Sequence, residues 1–410
     1  MQSNDTLIVG AGIIGLSIAY QLARRGHGRI LVLEKADGLG EGSTGASSAV
    51  CRFKYSHDEM VRLARDGIGA YQNWADFLEL RHPTARYHRA GMLWFDPDAS
   101  RAGVDVPRLR QLGVRAAVLD DSEVSERFPS LNTCMVAPDL VTGESHECRK
   151  GGQHLLEEDG GYVEPTDALQ DLLTAARSRG VEVRFGTPVQ DVTTASGRVT
   201  GVTLADGKAI PGGTVVNAAG PWCNDLLATV GLDRKWPLVP TRIQIAQVNL
   251  PDSIRGPIPV VGDLISGIYF RPQGHQKHII VGSVLPEDER EAVAPDRLDR
   301  TADDDFVRIK LHALQHRVPG LRDLKGVVGY SGLYTMNISD VHPVVGKTPI
   351  TGLYIANGFS GHGFKLAPAI GSLVAQAITG VRVLQDTQVD LDFLSFDRAP
   401  ISLLHQSVLA

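Results

Sequence analysis

The spacing of apolar residues changes abruptly within the first 35 positions, and the change marks three elements. Leu7, Ile8 and Val9 form a short apolar run that stops at Gly10, and beyond Gly15 the spacing becomes helical through Ile18, Leu22 and Ala23. The pattern predicts strand, turn and helix. A second apolar run, Ile30 to Leu33, ends at Glu34, which makes Thr6 to Lys35 one βαβ unit.

Further along, Met60, Leu63, Ala64, Ile68, Tyr71, Trp74 and Leu78 form a helical stripe over residues 58–80. An amphipathic helix follows Pro165 and Thr166 and is stopped by Gly180. VEVRF, then VTGVTLADG, read as strands, with a hairpin turn at Ala205 to Gly207. Val215 to Ala218 then run into a small-residue turn and a new helix, a second strand-turn-helix. Residues 237–325 alternate in polarity, as in IQIAQVNL, GIYFRPQ and HIIVGSV, and predict an antiparallel sheet with one helix near 303–316. Finally, Leu353 to Ala356 enter a turn containing Gly358, Gly361 and Gly363 and continue as a helix from about Ala367.

These elements imply an α/β fold in which a Rossmann-like dinucleotide-binding domain is interleaved with a second domain built on an antiparallel sheet. The first domain is expected over 1–88, 147–236 and 326–385, the second over 89–146 and 237–325. Residues 386–410 form a C-terminal extension. At 410 residues the chain is long enough for two such domains.

Charge and composition narrow the function classes. A net charge of −6 without a long basic run argues against nucleic acid as a partner. No apolar run approaches the roughly 18 residues of a membrane span, so no transmembrane segment is expected. The first residues lack a basic region followed by an apolar segment, and a cytoplasmic location is expected. Cys51, Cys134, Cys148 and Cys223 are scattered without CxxC spacing, so neither a zinc site nor a disulfide framework is expected, and no metal is assigned.

Within the βαβ unit each special residue has a chemical reason. Gly10 permits a tight turn, Gly12 lets backbone approach a pyrophosphate, and Gly15 lets the helix pack closely on its strand, so a phosphate meets the helix N-terminus. Glu34, nineteen residues beyond Gly15, would accept hydrogen bonds from a ribose diol and repel an extra 2′-phosphate. NAD and FAD both satisfy this pattern. The following stretch, DGLGEGSTGASSAVCRFK, is rich in small residues, with the hydroxyls of Ser43, Thr44, Ser47 and Ser48 available as donors, and turns basic at Arg52 and Lys54. Cys51 is read as a small packed residue beside Arg52.

Four motifs, in order, resemble the D-amino acid oxidase-like flavoprotein superfamily, and within it the sarcosine oxidase, dimethylglycine dehydrogenase and glycine oxidase branch: GAGIIG with Glu34, the GSTGASS loop, VVNAAGPW, and DVHPVVG followed by GFSGHGFKLAP. The resemblance covers almost the whole chain and implies FAD as the cofactor. By motif, it implies that Gly10, Gly12, Ile14, Gly15, Glu34 and Lys35 belong to the ADP-ribose site and that Ser43, Thr44 and Ser47 lie beside the flavin. Val189 would touch the adenine side, and Gly220 and Trp222 occupy the NAAGxW turn. Gly361, Gly363, Phe364 and Lys365 belong to the segment near the flavin O2. Arg52 and Lys365 match the basic positions that hold a substrate carboxylate, Tyr269 is a further cavity candidate, and His362 a flavin-side one; His342 is assigned to a structural turn.

The chain also departs from the branch. Positions used elsewhere for covalent flavin attachment match Gly332 and Ala46, which implies dissociable FAD. The arginines of glycine oxidases match Tyr334 and Gly361, and the lysine that promotes oxygen reaction in monomeric sarcosine oxidases matches Ile280, two residues before Gly282. The implied reaction is oxidation of the C–N bond of a small carboxylate-bearing amine, N-methylated or otherwise secondary or tertiary, like sarcosine or dimethylglycine. Hydride passes to flavin N5 and the imine is hydrolysed, with oxygen or another electron acceptor. The alternatives are a 2-hydroxy acid or D-amino acid dehydrogenase, and the flavin-binding subunit of a multi-subunit amine dehydrogenase that needs a partner subunit.

Overall fold

A computed structural model of the chain describes residues 4–144, 146–274 and 276–402. Two eight-stranded sheets carry the fold. In the first, Asn4–Val9 lies between Ala209–Asn217 and Ile30–Leu33, parallel to both, and Glu182–Arg184 and Leu353–Asn357 extend the parallel set on either side. Alternation along the first strand sends Ile8 into one apolar core and Leu7 and Val9 into another, so this sheet is covered on both faces. Helix Ile13–Arg24 packs on helix Gly363–Thr379 so closely that a Cβ on Gly371 would stand 2.7 Å from the Ser17 carbonyl oxygen.

The second sheet runs in the order Val328–Asn337, Leu238–Asn249, His278–Ser283, Ile268–Gln273, Val260–Asp263, Met92–Phe95, Gln153–Glu157, Ala116–Asp120. Helix Asp304–Arg317 covers it, sharing a core with Phe270, Ile279 and Val281. Two strands within the stretches expected to rebuild the first sheet, Gln153–Glu157 and Val328–Asn337, belong to the second. Gln153–Glu157 has only Leu155 and Leu156 as apolar residues, and Val328–Asn337 mixes glycine and polar residues with its apolar ones, so neither sequence says which sheet it joins. The second sheet is also not wholly antiparallel, because Val260–Asp263 pairs in parallel with Met92–Phe95.

The stripe over 58–80 breaks into helices Asp58–Gln72 and Trp74–Leu78. Asn73 between them leaves the helical region, and its side-chain amide donates to the Gly69 carbonyl at 2.9 Å. The last helix begins at Gly363, four residues before the expected Ala367, despite Pro368 inside it. Proline cannot donate to the carbonyl of residue 364. Tyr71 supplies the missing donor, its hydroxyl lying 2.9 Å from the Phe364 oxygen.

Residues 386–402 wrap back over the first-sheet half, where Arg398 pairs with Asp340 and the Trp236 indole donates to the Phe396 carbonyl at 2.8 Å. Residues 403–410 of the expected extension lie outside the described residues. Among the described residues no helix is long and apolar enough to cross a membrane.

Candidate active site

Two cavities meet at the centre of the molecule. The larger, about 610 Å³, runs along the ends of the parallel strands and is lined by Gly10, Gly12, Ile14, Glu34, Lys35, Ser43, Thr44, Ser47, Val189, Gly220 and Trp222, then by Gly361, Gly363 and Phe364. Glycine makes this cleft possible. Gly10 has φ +106°, and a Cβ there would stand 2.5 Å from the Ala218 oxygen; at Gly15 it would stand 2.0 Å from the Gly10 oxygen. Gly15 therefore packs helix against turn behind the cleft and does not line it. Gly12 begins the helix with no side-chain cap and no acid in the first turn, while Thr44 Oγ1 accepts from Ile13 N at 3.1 Å. A helix N-terminus with no acid in its first turn, set at a glycine-lined cleft, suits a pyrophosphate.

Glu34 faces the same space with its carboxylate fixed by backbone donors, Ala11 N at 2.7 Å and Ala36 N at 2.9 Å. The rim is crossed by a segment following the second sheet. Asp296 pairs with Lys35 at 2.5 Å and accepts from the Trp222 indole at 3.0 Å, Lys35 lies over the Trp222 ring, and Arg300 donates to the Glu41 carbonyl at 3.0 Å.

The smaller cavity, about 70 Å³, adjoins the cleft at Ser47, Tyr334, Gly361 and Phe364, residues common to both. Arg52, Lys365, Tyr269, Trp94, Asp288 and Glu289 line it. Arg52 and Lys365 are 4% and 5% exposed, so two cations sit almost out of water. Burial, and then repulsion from Arg52, holds the Lys365 ammonium down to a pKa of about 7. Lys365 is held from behind, since Gly67 of helix Asp58–Gln72 presses on its carbonyl so closely that a Cβ would stand 2.3 Å away.

Arg52 follows the two-residue strand Val50–Cys51, which pairs with Gly161–Tyr162. Buried Glu157 anchors the next turn, accepting from Phe53 N at 2.6 Å, Lys54 N at 2.9 Å and the Trp94 indole at 3.0 Å. Burial nevertheless raises its pKa. The Arg52 guanidinium lies 4.2 Å from the centre of the Tyr55 ring and bonds the Lys54 carbonyl. Cys51 is fully buried and burial pushes its thiol up to about 12, in keeping with a packed residue. Tyr269 points its hydroxyl at Ser48 Oγ, 3.2 Å away, and burial raises its phenol.

The candidate residues are thus brought together, except Gly15, which packs behind the cleft, and His362. His362 lines neither cavity; it is buried behind Tyr55, ring centres 5.2 Å apart, and burial followed by the charges of Lys365 and Arg52 drives its pKa well below the usual histidine value. Its neighbours are the very groups that would repel its charge, which suits a neutral packing residue. His342 also fits its assignment, with Nδ1 at 2.7 Å from the Asp340 carbonyl in the turn closed by Arg398.

Sequence reasoning missed Glu157, Trp94, Tyr55 and the acid pair Asp288 and Glu289. Only the tryptophan in GMLWF offered a signal, as an aromatic on a short strand; Glu157 sits in an acidic run that reads as surface.

The two positions matching covalent attachment lie side by side on the large cleft, where a Cβ on Gly332 would stand 2.5 Å from Ala46 Cβ. The two matching the glycine oxidase arginines are likewise adjacent, a Cβ on Gly361 falling 2.7 Å from the Tyr334 ring.

The chain is similar to FAD-dependent oxidoreductase domain-containing protein 1 of Bos taurus, 29% identical over 92% of this chain and 81% of that protein. It is also 28% identical to the peroxisomal sarcosine oxidase of Homo sapiens over 90% of each. The solved structure of L-proline dehydrogenase from P. horikoshii shares the fold, with a TM-score of 0.81 at 23% identity over 96% of this chain and 97% of that one. The FAD dependent oxidoreductase family matches residues 5–377, and with glycine cradle, acid and cleft all in place the chain belongs to that family.

Proposed function

We propose that the protein oxidises the C–N bond of a small amino acid carrying a secondary or tertiary amine, of the sarcosine or dimethylglycine kind. The observation that carries this reading is the nearly dry pair Arg52 and Lys365 in a small chamber that shares Ser47, Tyr334, Gly361 and Phe364 with the glycine-built cleft. FAD fits that cleft, with the pyrophosphate on the helix that starts at Gly12 and a ribose diol on Glu34. Bound there, it supplies the acceptor for hydride from the carbon next to nitrogen, and the resulting imine is hydrolysed by water.

The protein's own groups bind and orient. Arg52 offers a planar fork to a carboxylate, while Lys365 adds a point charge whose proton is easily lost. Trp94, Tyr269 and Tyr334 narrow the chamber around a small substrate. The adjacent Gly332 and Ala46 offer no side chain for a covalent bond, so the FAD is dissociable and acid precipitation should release it into the supernatant.

Ile280 favours a dehydrogenase over an oxidase. It is fully buried, lines neither cavity and shares a strand face with Gly282, against which Tyr269 packs, so this position carries no ammonium. The test is anaerobic bleaching of the bound flavin by a panel of N-methylated amino acids, unmethylated D-amino acids and 2-hydroxy acids. Bleaching by N-methylated substrates with slow return of colour in air is expected. Bleaching only by hydroxy acids would overturn the amine reading, and no bleaching by any of them would favour a flavin-binding subunit that needs a partner.

A further inference from the structure

Outside the lining of both cavities, residues 128–152 connect helix Asp121–Arg127 to strand Gln153–Glu157, and the described residues among them have no regular structure of their own. Connections longer than about 12–15 residues usually have a functional reason for their order. This one is fastened to the end of helix Asp304–Arg317. Asn132 donates from its backbone to the Arg317 carbonyl at 2.8 Å and from its side chain to the His316 carbonyl at 3.1 Å. Arg317 returns bonds to the carbonyls of Asn132 and Cys134 while its Nε holds Asp263 at 2.8 Å, both side chains fully buried. The two arms of the connection are closed on each other by Met135 N to the Arg149 carbonyl, 2.8 Å.

That framework gathers four soft ligands. Cys134, buried, and Cys148, exposed, stand one on each arm, near enough that each shifts the pKa of the other's thiol. Cys134 Sγ lies 3.3 Å from His146 Nε2, and ligand atoms of Cys134, His146 and His316 all fall within 4.8 Å of one another. His316 faces the His146 ring, centres 5.0 Å apart, and its Nε2 is sealed from solvent without a hydrogen-bond partner among the described residues. A tetrahedral zinc ion with S and N ligands spaces them about 3.3–3.8 Å apart, so small rotamer changes would bring Cys134, His146 and His316 into place, and the exposed Cys148 would have to turn in as the fourth ligand.

We propose that Cys134, His146, Cys148 and His316 form a Cys2His2 site for a borderline-soft divalent cation of the zinc class. Four protein ligands leave no open position, which makes the site structural. Its reach is long, because the helix it pins carries Phe306 on the substrate chamber wall, about 15 Å away along the axis. On the same helix Lys310 holds Asp288, at 2.7 Å, and Ser283, at 2.9 Å, in that wall.

The test is metal content of the flavin-loaded protein, purified without chelator and again after incubation with zinc alone. One zinc per chain is expected, lost in both Cys134→Ser and His316→Gln while flavin content is unchanged. Cobalt in place of zinc should give intense visible bands at wavelengths beyond flavin absorption, together with a thiolate charge-transfer band. Cys148→Ser, at an exposed side chain and so safe for folding, should roughly halve that thiolate band. Absence of bound metal after zinc incubation, full metal in both ligand variants, or a Cys134–Cys148 disulfide in the metal-free native protein would each overturn the site.

Discussion

The two central cavities are built by opposite means. The large cleft is made of backbone, with three glycines, a helix start and one carboxylate clamped by main-chain N–H groups, all within Gly10 to Ala36. The small chamber is made of side chains: Trp94, Tyr269 and Tyr334 from the second sheet, Asp288 from the turn after one of its strands, Arg52 from near the start of the chain and Lys365 from the last helix. A backbone-built site tolerates almost no added atom, whereas a side-chain-built site should yield to substitution in steps, one interaction at a time.

Substitutions at the glycines should have the largest effect. Gly15→Ala puts a Cβ 2.0 Å from the Gly10 oxygen; overpacking of this kind costs about 1–3 kcal/mol, and flavin content as well as the denaturant midpoint should fall sharply. Gly12→Ala sharpens the contrast, because its Cβ would meet only Thr44 Oγ1, at 3.3 Å. That variant should unfold within about 0.5 kcal/mol of the parent yet bind FAD more weakly, as read by flavin titration of the apoprotein. Equal losses of stability in the two variants would break the distinction between packing and lining glycines.

In the chamber, Arg52→Met should lower kcat/KM by about 10- to 100-fold, the worth of a charge-assisted bond of about 1.5–3 kcal/mol, with FAD content intact. Arg52→Lys should recover only part of this, since the planar fork is lost. Lys365 should reveal itself through pH. Its folded pKa of about 7 lies far below the ordinary value, and a bound carboxylate favours the charged form. Binding of a small carboxylate inhibitor should therefore be strongest below pH 7 and weaken as pH rises through it. Lys365→Met should flatten that step while Arg52 still holds the carboxylate. The smallest effect is expected at Tyr269→Phe, which removes only the bond to Ser48 and should cost about 1 kcal/mol in kcat/KM, roughly fivefold.

The same contrast explains what could be read in the sequence. Gly10, Gly12, Gly15 and Glu34 act through spacing, and spacing is written in one dimension, so the cleft and the elements around it were legible. So were the helices at Pro165–Ser178 and Asp304–Arg317, each long, with its apolar positions at helical spacing. Strands Gln153–Glu157 and Val328–Asn337 fall in stretches expected to belong to the dinucleotide-binding domain yet pair in the second sheet, because partner choice is a three-dimensional fact. Glu157 was invisible, since nothing local separates a buried clamp from the exposed acids beside it. The approach of Cys134 and His316 depends on the fold bringing together residues far apart in the chain. His362 misled in the other direction, since a motif position said nothing of which way its ring would turn.

The bridge of Asp296 to Lys35 and Trp222 across the rim adds a dimension of time. It joins segments from the two halves of the molecule through charges that lie largely in solvent, where salt screens them over about 8–10 Å. Such a closure adds little to equilibrium affinity and instead sets how long a seated cofactor stays. Dilution at low ionic strength should leave the flavin with a long residence time, and added salt should shorten it while the cradle beneath is unchanged.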